Sequence, residues 1–166
     1  MTEPLPFDPI AEAHRLWVEH GWDGAADGMA VVTSVVRSQQ ILLARIDEQL
    51  RDLELSLARY EVLMLLHFSR SGSLPLVVIG SRLQVHATSV TSAVQRLVKQ
   101  GLVTRRRHPT DRRTTLAGLT DAGRERALEA TRRLNATVFA DPGLDPDQAR
   151  TLVDVLRSMR RRAGDF

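Results

Sequence analysis

The sequence predicts a mainly α-helical protein with one small β-hairpin. Apolar residues recur at helical spacing through most of the 166 residues. Only residues 102–119 contain two short stretches with the composition and alternation of strands. Aromatic residues make up 4% of the chain, so we expect a helical core built from Leu, Val and Ala.

The first third of the chain is predicted to contain two helices. Asp8-Pro9 has the form of an N-cap followed by proline at the first helical position, and this helix extends to about residue 20. Two glycines then interrupt the pattern, and a long helix follows over about residues 25–53.

The middle of the chain is predicted to form three helices followed by the hairpin, with an extended link over residues 73–76. Gln84-Val85 supplies the turn between the second and third of these helices, and Gly101 ends the third because glycine accepts a positive φ. The predicted elements are a helix capped by Ser56 that ends before Ser71-Gly72, a short helix over 77–83, a helix over 87–100, and strands over 102–108 and 114–119.

Two further helices are predicted to complete the chain. Thr120-Asp121 caps the first, which runs to about Ala140, and Asp145-Pro146 starts the second, which runs to about Arg162. The helices at both ends of the chain have apolar stripes without an obvious partner. Such helices usually pack against a second copy of the chain, so we expect a homodimer.

Positive charge is concentrated beside the predicted hairpin. The formal net charge is only +3, yet seven cations and one acid, Asp111, lie between Arg96 and Arg113. A local basic patch on a chain of modest net charge is typical of contact with nucleic-acid phosphates. Arginine usage in a GC-rich genome would explain arginine across the chain, but not this clustering.

One face of the helix over 87–100 carries side chains that suit DNA contact. With Val90 at the centre of the buried face, Val94, Leu97 and Val98 lie near that face at about 100° per residue. The opposite side carries hydroxyls, a carboxamide and cations, which can bind phosphates and base edges. A merely solvated polar face is the alternative. The predicted DNA contacts from this helix are Thr88, Ser89, Thr91, Ser92, Gln95, Arg96 and Lys99.

The hairpin favours DNA contact over the alternative of a merely solvated polar face. Five arginines flank its turn, and they would repel one another without a compensating anion. Asp111 can pair with a neighbouring guanidinium and orient it, and an oriented arginine suits the negative potential of a narrow minor groove. The predicted DNA contacts from the hairpin are Arg105, Arg107, Asp111, Arg112 and Arg113.

This segment resembles the MarR family of winged helix-turn-helix transcriptional regulators. The wing signature of that family is Asp-x-Arg, five residues, Leu-Thr, two residues and Gly. It is present here without departure, as Asp111, Arg113, Leu119, Thr120 and Gly123. The resemblance covers about residues 30–162. The added first helix is similar to that of a subset which uses it for dimerisation and sometimes for ligand binding.

The resemblance implies a winged helix-turn-helix fold with N- and C-terminal dimerisation helices. Helix 87–100 would enter the major groove and the wing, residues 103–118, the minor groove, with Arg113 at its tip and Asp111 as its anchor. A homodimer would bind a pseudo-palindromic double-stranded operator as a repressor released by a ligand, although activation stays open. The implied parts are dimerisation and linking helices over 8–53, a DNA-binding lobe over 54–120 and C-terminal dimerisation helices over 121–163.

Members of this family often respond to a small molecule that is aromatic or anionic. One urate-responsive branch uses a tryptophan on an added N-terminal helix together with an acid and arginines. By this resemblance, we predict ligand contacts from Trp17, Trp22, Arg51 and Arg59, with Glu61 as a candidate acid. The alternatives are core packing for Trp17 and packing at the corner between the first two helices for Trp22.

Other classes of function find no support in the sequence. The chain has no cysteine, which excludes disulfides, thiolate metal sites and thiol-based sensing. The five histidines show no i, i+4 pairing, and neither a nucleophile elbow nor a phosphate-binding glycine loop is present. We therefore predict no enzyme, no catalytic residue, no metal and no cofactor.

The compartment and the remaining partner class follow from two further observations. No run of about 18 apolar residues and no signal peptide occurs, so we predict a cytoplasmic protein without a membrane partner. A winged helix that binds another protein is an alternative to DNA binding. The cluster of cations from Arg96 to Arg113 argues against it.

Overall fold

The computed structural model, which describes residues 5–111 and 113–166, has seven helices and a three-stranded antiparallel sheet in that part of the chain. The predicted fold class is confirmed. The helices are α1 (Pro9–Glu19), α2 (Asp23–Leu50), α3 (Leu57–Phe68), α4 (Leu76–Leu83), α5 (Ala87–Lys99), α6 (Asp121–Ala136) and α7 (Pro146–Arg162), with a 3-10 turn at Arg51–Leu53. The strands are β1 (Ser73–Pro75), β2 (Val103–Arg107) and β3 (Thr115–Leu119).

The chain divides into two units, Met1–Arg45 and Ile46–Phe166. In the first unit, the Asp8 carboxylate accepts a hydrogen bond from the backbone N–H of Ile10 at 2.9 Å, as the predicted N-cap of α1 requires. His14 Nε2 lies 2.9 Å from Asp27 Oδ1 and links α1 to α2. The long helix α2 continues from this unit into the second.

The core of the second unit lies between α3, α4, α5, α6 and the sheet. Each fully buried aliphatic side chain contributes about 1.5–3 kcal/mol to the free energy of unfolding. Val90, Val94 and Leu97 bring α5 into this core. The largest fully buried side chains of the unit include Leu50, Leu63, Leu66, Ile79, Leu97 and Leu134.

The sheet has the order β1-β3-β2, so β3 is its central strand. The β2–β3 pair is the predicted hairpin, with Val103 opposite Leu119 and Arg107 opposite Thr115. Residues 73–76 were expected to form only an extended link. Instead, β1 pairs with β3, Ser73 opposite Gly118, and closes the sheet on its other side.

Two local expectations differ from the structure. Helical periodicity predicts Val98 near the buried face of α5, but its side chain is 38% exposed, because the helix packs on the narrower stripe of Val90, Val94 and Leu97. The helix predicted to run to about residue 140 ends at Ala136. The backbone leaves helical geometry at the next residue, where φ is −124° and ψ is −77°.

The last helix begins as the sequence predicts. The Asp145 carboxylate accepts from the backbone N–H groups of Asp147 and Gln148, each at 2.9 Å. The Gln148 side chain accepts from the Asp145 N–H in return, which completes a capping box. None of the helices in the described part of the chain combines the length and the hydropathy that a membrane span requires.

Candidate DNA-binding surface

The turn between α4 and α5 brings these two helices into close contact. Gln84 ends α4 in the left-handed region, with φ 54° and ψ 40°, and Val85 N–H donates to the Gly80 carbonyl at 3.1 Å. A Cβ on Gly80 would lie 3.4 Å from both Val85 O and Val90 Cγ2. His86 then caps α5 by accepting from the Thr88 N–H at 3.4 Å. The result is a helix-turn-helix.

The outer face of α5 carries most of the side chains predicted to contact DNA. Thr91 differs, because it is half-buried and its hydroxyl donates to the Ala87 carbonyl at 2.9 Å. The other predicted residues share one exposed surface while Val90, Val94 and Leu97 hold the opposite face in the core. The exposed residues are Thr88, Ser89, Ser92, Gln95, Arg96 and Lys99.

In the turn between β2 and β3, the Asp111 carboxylate stabilises the backbone by accepting hydrogen bonds from two neighbouring residues. Its Oδ1 accepts from the Arg113 backbone N–H at 3.0 Å, and its Oδ2 accepts from the Thr114 hydroxyl at 2.6 Å. The Thr114 bond, then the Arg113 bond, and also the nearby His108, keep the pKa of the Asp111 carboxyl below its ordinary value. The sequence suggested that Asp111 pairs with a guanidinium. Among the described residues, the hydrogen-bond partners of its carboxylate are the Arg113 N–H and the Thr114 hydroxyl, so its contact with Arg113 is through the main chain.

The cations of the predicted surface lack carboxylate partners in the described part of the chain. Arg105, Arg107 and Arg113 are exposed, and no carboxylate of residues 5–111 or 113–166 lies within 4.0 Å of them. By contrast, Arg132 on α6 pairs with Glu129 at 2.5 Å. Arg112, also predicted to contact DNA, lies outside the described residues.

Thr120 and Gly123, in the Leu-Thr-x-x-Gly part of the signature, stabilise the base of the wing. The Thr120 hydroxyl donates to the Gly101 carbonyl at 2.9 Å, and the Thr120 N–H donates to the Leu102 carbonyl at 3.2 Å. The same hydroxyl accepts from the Gly123 N–H at 3.0 Å, which caps α6. A Cβ on Gly123 would lie only 2.0 Å from Leu102 O, so any larger residue there collides with the backbone. The signature therefore joins the start of β2 to the start of α6.

Of the four residues predicted to bind a ligand, the two tryptophans are in contact. The Trp17 and Trp22 rings meet edge to face with centroids 5.2 Å apart, and Trp22 is 54% exposed at the corner between α1 and α2. Arg51 is exposed in the 3-10 turn. Arg59 is half-buried on α3 and faces α5.

Glu61, the candidate acid, is partly buried beside an apolar cleft of about 320 Å³ that Tyr60, Met64 and Phe68 also line. Burial raises the pKa of its carboxyl.

The sequence did not indicate that an N-cap residue and a predicted ligand contact of α3 lie on this surface. Ser56 and Arg59, at the start of α3, lie across a groove from α5. Ser56 occupies the predicted N-cap position, but its side chain makes no cap bond and its hydroxyl accepts from Arg59 Nε at 3.3 Å. Their proximity to α5 is a tertiary relationship, for which the sequence carries no local signal.

Comparison with known proteins identifies the class to which this fold and surface belong. The profile of the MarR family matches residues 55–115. The HTH-type transcriptional regulator YdgJ of Bacillus subtilis is 32% identical over 114 residues, which are 68% of this chain and 68% of that protein. The chain therefore belongs to the MarR family, as its wing signature predicted, and it is a regulator of transcription rather than an enzyme.

Solved structures of other regulators agree in fold. Sco5413, a MarR family transcriptional regulator from Streptomyces coelicolor, is 47% identical, with a TM-score of 0.77 over 84% of this chain and 97% of its own. Sco3205 from the same organism, solved in complex with DNA, is 28% identical, with a TM-score of 0.67 over 78% of this chain and 83% of its own. BpsR of Bordetella bronchiseptica, whose DNA binding is regulated by 6-hydroxynicotinic acid, is 27% identical, with a TM-score of 0.68 over 78% of this chain and 97% of its own.

Proposed function

We propose that this protein is a cytoplasmic, homodimeric, sequence-specific repressor that a small molecule releases from its operator. Helix α5 enters the major groove, and the wing, residues 103–118, enters the adjacent minor groove. One observation carries the proposal. The exposed face of α5 and the wing present cations that have no carboxylate partner among the described residues, so both elements are open to an anion.

The side chains of α5 provide both kinds of DNA contact. Thr88, Ser89 and Ser92 lie in its first half, where short hydroxyls reach phosphates and base edges. Gln95 follows, and its carboxamide can pair with the N6 and N7 edge of adenine. Sco3205, a relative at 28% identity, has been solved in complex with DNA, which supports a DNA partner for this chain.

The homodimer is supported by apolar residues that stay exposed in the described part of the chain. On α7, Leu152, Val155 and Met159 follow helical spacing and are 44%, 60% and 48% exposed. In the first unit, Val32 and Val36 on α2 are 62% and 48% exposed. Such stripes are stable in water when a second copy covers them, and the two copies then present two α5 helices to one palindromic site.

The releasing ligand is small, and aromatic or anionic. The contact between Trp17 and Trp22 gives an exposed aromatic surface within the first unit. BpsR, a relative at 27% identity, has its DNA binding regulated by 6-hydroxynicotinic acid, an aromatic acid. Arg59 faces α5, on the side of the proposed DNA contact, so this ligand set does not include it.

The DNA-binding proposal is tested by selecting duplexes from a random pool with the purified protein and footprinting the selected site. We expect an inverted repeat with half-site centres about one helical turn, roughly 34 Å, apart. Protection of a single asymmetric half-site contradicts the dimeric mode of binding. No enrichment of any sequence contradicts the function itself.

The ligand proposal is tested by intrinsic fluorescence, because Trp17 and Trp22 are the only two tryptophans. Titration with 6-hydroxynicotinic acid or urate should change the emission and release the selected duplex over the same concentration range. The variant Trp22→Phe should weaken both responses. Release of DNA without any change in emission places the ligand elsewhere.

A further inference from the structure

An open groove of about 520 Å³ separates the start of α3 from the outer face of α5. One wall is formed by Ser56 and Arg59, and the other by Thr88, Ser92 and Arg96. Thr88, Ser92 and Arg96 belong to the face of α5 proposed to meet DNA. The groove therefore opens on the same surface.

The groove presents positive charge and hydroxyls and has no acid in its lining. Within the described residues, neither Arg59 nor Arg96 has a carboxylate within 4.0 Å. Two guanidinium groups without counter-ions on facing walls of one groove attract an anion. A phosphate offers the acceptor oxygens that guanidinium and hydroxyl donors bind.

The Arg59 side chain is preorganised for contact with a phosphate. Its side chain is half-buried, and its Nε donates to the Ser56 hydroxyl at 3.3 Å, which limits the freedom of the guanidinium before any ligand arrives. A guanidinium has five N–H donors in a fixed plane, so four remain after this bond. Less conformational entropy is therefore lost when it binds an oxygen anion.

We propose that this groove binds a backbone phosphate of the DNA strand that borders the major groove read by α5, with Arg59 as its main contact from α3. The inference rests on the proposed DNA-binding function and adds to it a third element, besides α5 and the wing. Arg59 thereby becomes a DNA contact that holds α5 in register along the duplex. It carries no sequence information of its own, because every base pair has the same phosphate.

The test compares Arg59→Gln with Arg132→Gln in the full-length protein. Arg132 is an exposed arginine on α6 whose carboxylate partner Glu129 also binds Arg133, so its loss removes the same charge away from the groove. Binding to the selected duplex and to an unrelated duplex is measured by fluorescence anisotropy over a series of KCl concentrations. Thermal melting of each variant checks that it is folded.

Arg59→Gln should weaken binding to both duplexes by a similar factor, at least about tenfold per dimer. The slope of log K against log salt should fall by about two, one phosphate for each protomer, while Arg132→Gln leaves it unchanged. Arg59→Lys should restore the slope and part of the affinity, since the charge returns without the planar donor group.

If folded Arg59→Gln binds DNA with the affinity and the salt slope of the wild type, the proposed phosphate site is wrong. DNA binding by the wild-type protein is not affected by that result. A loss confined to the selected duplex also overturns it, because it would make Arg59 a reader of bases. If Arg59→Gln changes only the release of DNA by 6-hydroxynicotinic acid, Arg59 belongs to the ligand site and the phosphate site is wrong. If the wild type binds neither duplex, the proposed function fails first, and the inference falls with it.

Discussion

Asp111 Oδ1 accepts a hydrogen bond from the backbone N–H of Arg113 at 3.0 Å in the turn of the wing. The carboxylate fixes the main chain from which the Arg113 side chain extends. The guanidinium therefore stays available to an external anion, which an ion pair with Asp111 would have prevented. The two residues of the Asp-x-Arg signature thus have separate tasks, one in the turn and the other at the proposed DNA contact.

Arg113→Ala should weaken binding to the selected operator by about 1–3 kcal/mol and reduce the preference for A·T-rich flanks. The reason is loss of a cation from the narrow part of the minor groove. Anisotropy titrations with operators that carry A·T-rich or G·C-rich flanks measure both effects. Unchanged affinity at controlled salt concentration would show that the wing does not enter the minor groove.

Asp111→Ala should have a different effect from Arg113→Ala. The cation stays, so non-specific affinity and its salt dependence are retained, while the preference for A·T-rich flanks falls because Arg113 is no longer oriented. The same titrations distinguish the two variants. An equal loss of salt slope in both would contradict this division of tasks.

Gly123→Ala should lower the free energy of unfolding by about 1–3 kcal/mol or more. Its Cβ would lie 2.0 Å from the Leu102 carbonyl oxygen, and the backbone at the base of the wing must move to avoid it. Gly28→Ala on α2 is the matched control, because a Cβ there meets no atom within 4 Å and the change favours helix by about 0.5–1 kcal/mol. Urea denaturation gives both values, and equal stabilities of the two variants would contradict the steric argument.

Glu61→Gln should stabilise the protein increasingly as the pH rises. Burial raises the pKa of Glu61 in the folded protein above its unfolded value, so ionisation of this carboxyl costs stability. The cost is absent below the unfolded pKa and complete once the pH exceeds the folded pKa. The difference in Tm, variant minus wild type, should therefore grow as the pH rises above about 4, the ordinary range of a glutamate pKa.

Glu129→Gln serves as the control of opposite sign. Hydrogen bonds from Arg133 and then Arg132 lower the pKa of Glu129, so its ionised form stabilises the folded state. That contribution is present above the unfolded pKa and is lost as the pH falls through the folded pKa. The variant should lose more stability at neutral than at acidic pH, and parallel pH profiles for both variants would refute the assignment.

Val155→Asp should shift the proposed dimer towards a monomer of 18.5 kDa. A charge in the stripe of Leu152, Val155 and Met159 would be buried against the second copy without a partner. Val153→Asp makes the same change outside that stripe and should leave the dimer intact. Sedimentation velocity measures both masses, and a dimeric Val155→Asp variant would place the interface on another surface.

The order of helices could be predicted because its signals are local. Asp8-Pro9 and Asp145-Pro146 each combine an N-cap with a proline, and both helices begin there. The pairing of Ser73–Pro75 with β3 could not be predicted, because three residues with a proline show no alternation and their hydrogen bonds depend on a distant strand. Membership of the MarR family was nevertheless correctly predicted from the signature around Asp111, and the mainly helical fold class from the spacing of apolar residues.

The geometry of the candidate site was only partly accessible from sequence. Helical periodicity separates the buried Val90 from the exposed Ser92, but it does not give the width of the packed stripe, which leaves Val98 exposed. The spacing of Asp111 and Arg113 does not reveal whether the carboxylate binds a side chain or the main chain. Similarly, no pattern within α3 indicates that Arg59 lies beside α5, because tertiary packing alone brings them together.

The division of α5 into a packed face and an open face has a consequence for how regulators of this kind diversify. Val90, Val94 and Leu97 supply the contacts that hold the helix in the core, whereas Ser92 and Gln95 lie on the open face. Exchanges at the open positions can therefore accumulate at little cost in stability. After gene duplication, a copy could acquire a new operator while it keeps its fold, and the regulatory network could be rewired one base contact at a time.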